Sequence, residues 1–320
     1  MKPLADFELL SPDAVLTACE KALSPVALEP AVNPYNSYVN RVFAVKSEEG
    51  ERYIAKFYRP GRWTREAIEE EHAFLADCAH AELPVVAPLS LKNGATIAEH
   101  DGFLFSVYPF RSGRTFDINS DDDYKRLGAL IGRLHTVSKI HTAQHRLTLH
   151  PVDMTLQVCT RLAASPSMHP EFAVEFLDLC TDVLQSRVEA FSSAENIRIH
   201  GDCHRGNILD RMDEGLLLID FDDMMTGPAV QDLWLLLPDH INLCPRETDL
   251  LLTGYTQFSD FDSRTLDLVE TLRFMRIVYY LGWCESQKND SLFQEKNPDW
   301  GTRAFWIREM EDLRYQADRV

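Results

Sequence analysis

A chain of 320 residues can bury a core large enough for one large or two moderate domains. It carries 50 Asp and Glu against 32 Lys and Arg, a formal net charge of −18, which argues against a nucleic acid partner or an anionic membrane surface and is compatible with a cationic substrate or a basic peptide. Seven cysteines, odd in number and without a CxxC pair, read as reduced thiols in a cytoplasm.

At the N-terminus, MKPLADFELLSPD lacks the basic head and apolar core of a signal peptide, and no later apolar run approaches a membrane span. A soluble, cytoplasmic monomer is expected. Ser11, Pro12 and Asp13 form a helix start, so a helix to about residue 23, packed on a sheet, is predicted. Residues 38–46 and 52–58, rich in β-branched and aromatic side chains and separated by the turn 47–50, read as a hairpin. Lys56 lies in its second strand among apolar neighbours. The helix predicted over 64–80 sets Glu71 between Ile68, Phe74, Leu75 and Cys78 on the apolar stripe, with Glu66, Glu69 and Glu70 on the polar side. A carboxylate on a buried face needs a partner, and Lys56 is the natural one. A strand lysine held by a helix glutamate is how kinase folds aim an ammonium at nucleotide phosphates. Residues 36–41, NSYVNR, form the turn expected over that nucleotide; they contain no GxGxxG, so Ser37 either lends its hydroxyl to phosphate or is an ordinary turn serine.

Further strands are predicted over 84–88 and 103–108, with turns at 92–95 and 100–102. The segment 107–110, with Val107, Tyr108 and Phe110, is where a hinge backbone would read an adenine edge. The polar, Gly-containing RSGRTFDINSDDD that follows has linker composition, so the chain is divided into a nucleotide-binding lobe, 1–109, and a catalytic and acceptor-binding lobe, 110–320. An amphipathic helix is predicted over 123–139 with His135 as a core histidine. Residues 140–155 read as a loop, since His141, His145 and His150 have no supporting ligand set for zinc. A helix over 171–191 leads into the central stretch.

That stretch, HGDCHRGNILDRMDEGLLLIDFD, covers residues 200–222. Asp202 is followed five residues later by Asn207 and thirteen after that by Asp220, which ends the apolar run 216–219. Phosphoryl transfer uses these residue types in this order: one Asp accepts the proton of the attacking hydroxyl, while an Asn and a later Asp hold Mg²⁺ against the phosphates of ATP. His204 either contacts the γ-phosphate or acceptor or is structural, and Cys203 reads as a small filler. Beyond it, Gly227 and Pro228 read as a turn, and Asp232 enters an apolar helix as a cap or as an anchor for the catalytic loop's backbone. Helices are predicted over 247–258, 263–286 and 299–319.

With Lys56, Glu71 and the HGDxHxxN loop before IDFD, the chain resembles the aminoglycoside phosphotransferase and choline kinase-like superfamily. NSYVNRV, KFYRPGRW, EEHAFL, HGDCHRGNIL, GPAVQDLW and MRIVYYLGW look more closely like the stress response kinase A family. The resemblance implies an α+β, bilobal, protein-kinase-like fold with a small β-rich N-lobe carrying one regulatory-type helix and a larger, mainly helical C-lobe. It further implies a cytoplasmic, Mg²⁺-dependent enzyme that phosphorylates Ser and Thr in proteins. Carried over by motif, Asp202 is the proton acceptor, Asn207 and Asp220 are the magnesium ligands, Lys56 binds phosphate and Ser37 belongs to the nucleotide loop. Asp222 stands where ordinary protein kinases have a glycine, and either binds a second metal or caps a turn. A small hydroxyl compound is the alternative acceptor, and a nucleotide-sensing scaffold without turnover a third reading.

Overall fold

The computed structural model describes residues 7–35, 37 and 39–320; Asn36 and Tyr38 of the expected nucleotide turn lie outside the described residues. In chain order the first elements are α1 (Pro12–Leu23), β1 (Asn33–Tyr35), β2 (Arg41–Lys46), β3 (Arg52–Phe57), α2 (Arg65–His80), β4 (Ala98–His100), β5 (Phe103–Pro109), β6 (Arg114–Thr115) and α3 (Asp121–Ser138). There follow α4 (Gln157–Ala163), α5 (Ala173–Ser186), α6 (Val188–Ser192), β7 (Asn196–Ile199), β8 (Ile208–Asp210), β9 (Leu216–Leu218) and β10 (Met225–Pro228). The chain ends with α7 (Gln231–Trp234), α8 (Pro245–Tyr255), α9 (Val269–Gln287), α10 (Ser291–Lys296) and α11 (Arg303–Ala317). These form two compact units. Unit 1 takes the described residues up to Asp117, with Ala143–Arg146 and His204–Met224; unit 2 takes Ile118–Thr142, Leu147–Cys203 and Met225–Val320.

Unit 1 is built on an antiparallel five-stranded sheet in the order β1-β2-β3-β5-β4. Alternation sorts its side chains by face. Tyr53, Ala55 and Phe57 of β3 join Phe43, Phe103, Phe105 and Val107 under α1, which contributes Val15, Ala18, Cys19 and Ala22. Phe57 stacks on Phe105 with centroids 4.8 Å apart, and burying each such ring is worth roughly 1.5–3 kcal/mol. Ile54 and Lys56 therefore point the other way. Helix α1 starts as predicted, the Ser11 hydroxyl accepting the Ala14 N–H at 3.2 Å. Helix α2 is capped by Thr64, whose hydroxyl accepts the Ala67 N–H at 3.2 Å, and it buries Ile68, Glu71, Phe74, Leu75 and Cys78 along the predicted stripe.

Unit 2 is mainly helical. Its core gathers Phe176, Phe274 and Trp306 with apolar residues of α4, α5, α9 and α11. Helices α3 and α8 cross backbone to backbone: a Cβ at Gly128 would lie 1.9 Å from the Leu251 carbonyl oxygen, and one at Gly254 would lie 2.0 Å from that of Lys125. Only glycine fits either position.

Several expected elements differ. Residues 84–88 form no ladder; Val85 makes a single parallel bridge to Leu218, as Pro84 and Pro88 have no N–H to donate. Gly227 and Pro228 lie in strand β10, not in a turn, with Gly227 opposite Ile197. The glycine serves packing there, because a Cβ would come within 2.9 Å of Ile199 Cδ1. The helix expected over 171–191 breaks at Arg187 into α5 and α6. The segment expected to be a loop, 140–155, ends in a π-helical turn, Pro151–Leu156, that leads directly into α4. His150 caps that turn, its Nδ1 accepting the Val152 and Asp153 N–H groups at 3.3 and 3.1 Å.

Candidate active site

A cavity of about 570 Å³ in unit 1 is lined by Ser37, Val42, Ile54, Lys56, Glu71, Tyr108, Leu209 and Asp220, among others. That volume suits a drug-sized ligand. Lys56 reaches it because β3 alternation turns it away from the α1 core, and its register partner on β5 is Ser106. The side chain is buried, with Nζ 2.9 Å from Asp222, 3.5 Å from Asp220 and 3.9 Å from Glu71. Burial alone would lower the lysine's pKa, but Asp222, Glu71 and Asp220 outweigh it and hold the ammonium well above its ordinary range. Asp222 is the tighter partner. Against the cost of burial, Lys56 and Arg62 pull its carboxyl down to about 2. Glu71, farther from Nζ, is pushed up to about 7 by burial, an effect that Lys56 and Arg146 offset only in part.

The turn after β9 sets the two acidic residues apart. Asp220 is in the left-handed region, φ +62°, a conformation that Asp tolerates better than most residues. Its side chain is 56% exposed. The chain then closes a 3₁₀ turn, Phe221–Asp223, that buries Asp222 and sets Phe221 edge-on to Phe74 of α2, centroids 5.7 Å apart. Asn207 is held beside this turn, since its carbonyl accepts the Ile219 N–H at 2.9 Å. An amide and an open carboxylate thus offer hard oxygen donors suited to a divalent cation, whereas Asp222 is engaged by Lys56 and Arg62. His204 caps the 3₁₀ turn Arg205–Asn207, its Nδ1 accepting the Gly206 N–H at 2.9 Å.

Of the segment 107–110, Tyr108, Pro109 and Phe110 line the cavity, and the lining continues through Arg111, Ser112 and Gly113. Val107 turns into the α1 core and its carbonyl accepts the Leu89 N–H at 2.7 Å. The Phe110 N–H donates to the Arg52 carbonyl at 3.0 Å, and its ring lies 3.7 Å from the Arg52 guanidinium. Ser37 lines the cavity, and its carbonyl accepts from Arg41 at 3.3 Å.

Asp202 belongs to unit 2, where its loop is fixed from below. The Asp232 carboxylate accepts the His200 and Gly201 N–H groups at 2.7 and 2.9 Å and contacts His135 Nε2 at 3.1 Å. His135 Nδ1 meets the Tyr255 hydroxyl at 2.9 Å, and the Gln231 amide donates to the Gly201 carbonyl at 2.9 Å. Asp232 is therefore the anchor, and His135 the core histidine expected. Cys203 is fully buried with its thiol pKa raised by burial, then by Asp232 and Asp202, which suits a filler.

Sequence reasoning missed the arginines. Arg146 is buried, donates to the carbonyls of Met224, Phe221 and Asp222 at 2.7, 3.2 and 2.6 Å, and lies 3.5 Å from Glu71. Arg62 holds Asp222 at 3.3 Å and Asp223 at 2.6 Å. Arg276 of α9 sits 2.7 Å from Asp202 Oδ1. Neither Arg62 nor Arg146 falls in a periodic segment; Arg62 and Arg276 lie in KFYRPGRW and MRIVYYLGW, two of the segments that carry the family resemblance.

Residues 32–269 match the Phosphotransferase enzyme family. The chain is 34% identical over 313 residues to Stress response kinase A of Escherichia coli strain K12, spanning 97% of this chain and 94% of that protein. It is 33% identical over 307 residues to Serine/threonine protein kinase RdoA of Salmonella typhimurium strain LT2, spanning 95% and 91%. Among solved structures it resembles amicoumacin kinase hAmiN in complex with AMP-PNP, Ca²⁺ and Ami, with a TM-score of 0.75, 18% identity, and 99% and 93% of the two chains covered. At that identity the likeness is one of fold, and it bears out the expected α+β, kinase-like class.

Proposed function

Because the chain belongs to the phosphotransferase enzyme family and is a kinase, we propose that it transfers the γ-phosphoryl group of ATP to Ser and Thr hydroxyls of proteins, with Mg²⁺. The observation that carries the nucleotide half of this reading is the Lys56 ammonium between Glu71, Asp220 and Asp222 at a cavity of about 570 Å³. The near full-length similarity to relatives named as stress response and serine/threonine kinases supports the acceptor half.

In this reading ATP occupies the unit 1 cavity, its base against the 107–113 segment and its phosphates toward Lys56 and Ser37. Lys56 spreads the charge that builds on the transferred phosphoryl group, and Glu71 and Asp222 fix where its ammonium points. Asn207 and Asp220 would hold Mg²⁺, which when bound neutralises phosphate oxygens and orients them. Asp202, on a loop anchored by Asp232, aligns the acceptor hydroxyl and takes its proton. Positioning and electrostatics supply most of the rate.

The test is phosphoryl transfer from γ-labelled ATP to proteins of a cell lysate. The wild type is expected to label protein, and Asp202→Asn to lose roughly 10³-fold or more of that rate while still binding a nonhydrolysable ATP analogue. A small-molecule acceptor, the reading favoured by neighbours such as the amicoumacin kinase, wins if no protein is labelled and an amino alcohol or aminoglycoside stimulates ATP turnover.

A further inference from the structure

Arg276 stands over the proposed proton acceptor. Its Nη1 lies 2.7 Å from Asp202 Oδ1, with side-chain exposures of 42% and 24% for the two groups. This aim is set by packing. Helix α9 buries Leu272, Met275, Val278, Leu281 and Cys284, and it packs closely enough on α4 that a Cβ at Gly282 would lie 2.4 Å from Val158 Cγ1. The neighbouring Arg273 is turned elsewhere, to Glu270 and to the Asp239 carbonyl at 3.4 and 2.9 Å. One turn beyond Arg276, Tyr280 is exposed and stacks with Trp283, centroids 5.9 Å apart, so cation and aromatic pair share one face at helical spacing.

A guanidinium beside the group that takes the acceptor's proton meets whatever adjoins the acceptor hydroxyl. A cationic neighbour there is repelled, and an anionic one gains a charge-assisted hydrogen bond. An ion pair this open to water is weak, so Arg276 can exchange Asp202 for an acceptor's anion. We propose that Arg276 makes the enzyme selective for hydroxyls flanked by an anionic group, in proteins Ser or Thr next to Asp or Glu. This rests on Asp202 being the proton acceptor for a protein substrate. It runs against the net charge of −18, which suits basic acceptors; but charges beyond a Debye length of about 8 Å are largely screened, and the contact at the hydroxyl decides.

The experiment compares two series of Ser-centred peptides, identical except for Glu or Lys at the flanking positions, with wild type, Arg276→Lys and Arg276→Glu. The readout is the ratio of kcat/KM between series within each protein, so loss of folded enzyme cancels. Wild type is expected to favour the Glu series by roughly tenfold, Arg276→Lys to keep that direction and Arg276→Glu to reverse it. A wild-type preference for Lys, no preference, or an unchanged ratio in Arg276→Glu overturns the inference alone. Transfer to neither series by an enzyme that labels lysate protein overturns the inference alone, whereas transfer to neither series and to no lysate protein overturns the protein-kinase reading and the inference together.

Discussion

Three carboxylates surround Lys56, and two of them, Asp222 and Glu71, hold their protons very differently. Asp222 is the closer and is drawn down to about 2, so below neutrality it is the lysine's counter-ion; Glu71 is raised to about 7 and is protonated over much of the acidic range. A raised carboxyl binds its proton more tightly folded than unfolded. Its contribution to stability is complete below the ordinary glutamate value of 4.5 and is lost as pH rises through about 7. Asp222 acts in the opposite sense, stabilising above 3.8 and failing only as pH falls toward 2. Between pH 5 and 8, therefore, Glu71 imposes a downward slope on stability to which Asp222 adds nothing. Urea denaturation at intervals across that range is expected to show the slope in wild type and a flatter curve in Glu71→Gln. Parallel curves would mean that Glu71 is ionised throughout and is Lys56's full partner. The Lys56 and Glu71 pairing was legible because each broke its local pattern, a cation in an apolar strand and an acid on an apolar stripe. The part played by Asp222 was not, since a residue after Phe221 carries no sign of which way a 3₁₀ turn will face it.

At the scale of elements, the segment Ala143–Arg146 pins α2 to the turn after Asp220. Glu70 accepts the Gln144, His145 and Arg146 N–H groups at 2.6, 2.8 and 3.0 Å, so the acid that reads as surface in the helical pattern is the clasp on one side. Arg146 is the clasp on the other, with three carbonyls of the turn, Glu71, and the Trp63 ring 4.0 Å beneath it. Helix α2 could be read from its stripe, and its cap from Thr64. The clasp could not, because four residues without periodicity give no sign of a contact some seventy-five positions away. Arg146 is a positioning residue for Glu71 and the Asp220 turn. Arg146→Ala is expected to cost about 3 kcal/mol in stability, the price of stranding buried carbonyls and a buried carboxyl. It should also raise the KM for ATP more than it lowers kcat at saturation. Arg146→Lys, which keeps the charge and loses the fork, should recover stability better than it recovers KM; equal recovery of both would make the residue a structural pin only.

For the whole molecule, the consequential feature is that unit 1 is assembled from separated stretches, with His204–Met224 folded among the described residues before Asp117. The join is physical: β8 pairs with β6 and with β9, and Leu218 donates to the Pro84 carbonyl at 2.9 Å. Composition marks a linker near 111–123, and motif spacing marks Asn207 and Asp220, but neither shows that the second stretch returns to the first, because pairing partners are chosen by tertiary packing and not by local pattern. A ligand in the unit 1 cavity should therefore protect both stretches at once. Hydrogen exchange with saturating ATP analogue and Mg²⁺ is expected to slow amides of β2, β3 and β5 and of 204–224 together. At a hundred times the dissociation constant the gain is about 2.7 kcal/mol, which slows amides that exchange by opening the whole unit by roughly a hundredfold. Asp220→Asn should keep the protection of β3 and β5 with analogue alone and lose the increment that Mg²⁺ adds. If 204–224 exchanges at the same rate with and without ligand while the sheet is protected, then Asn207 and Asp220 do not serve the bound nucleotide, and the metal ligands must be sought elsewhere in the chain.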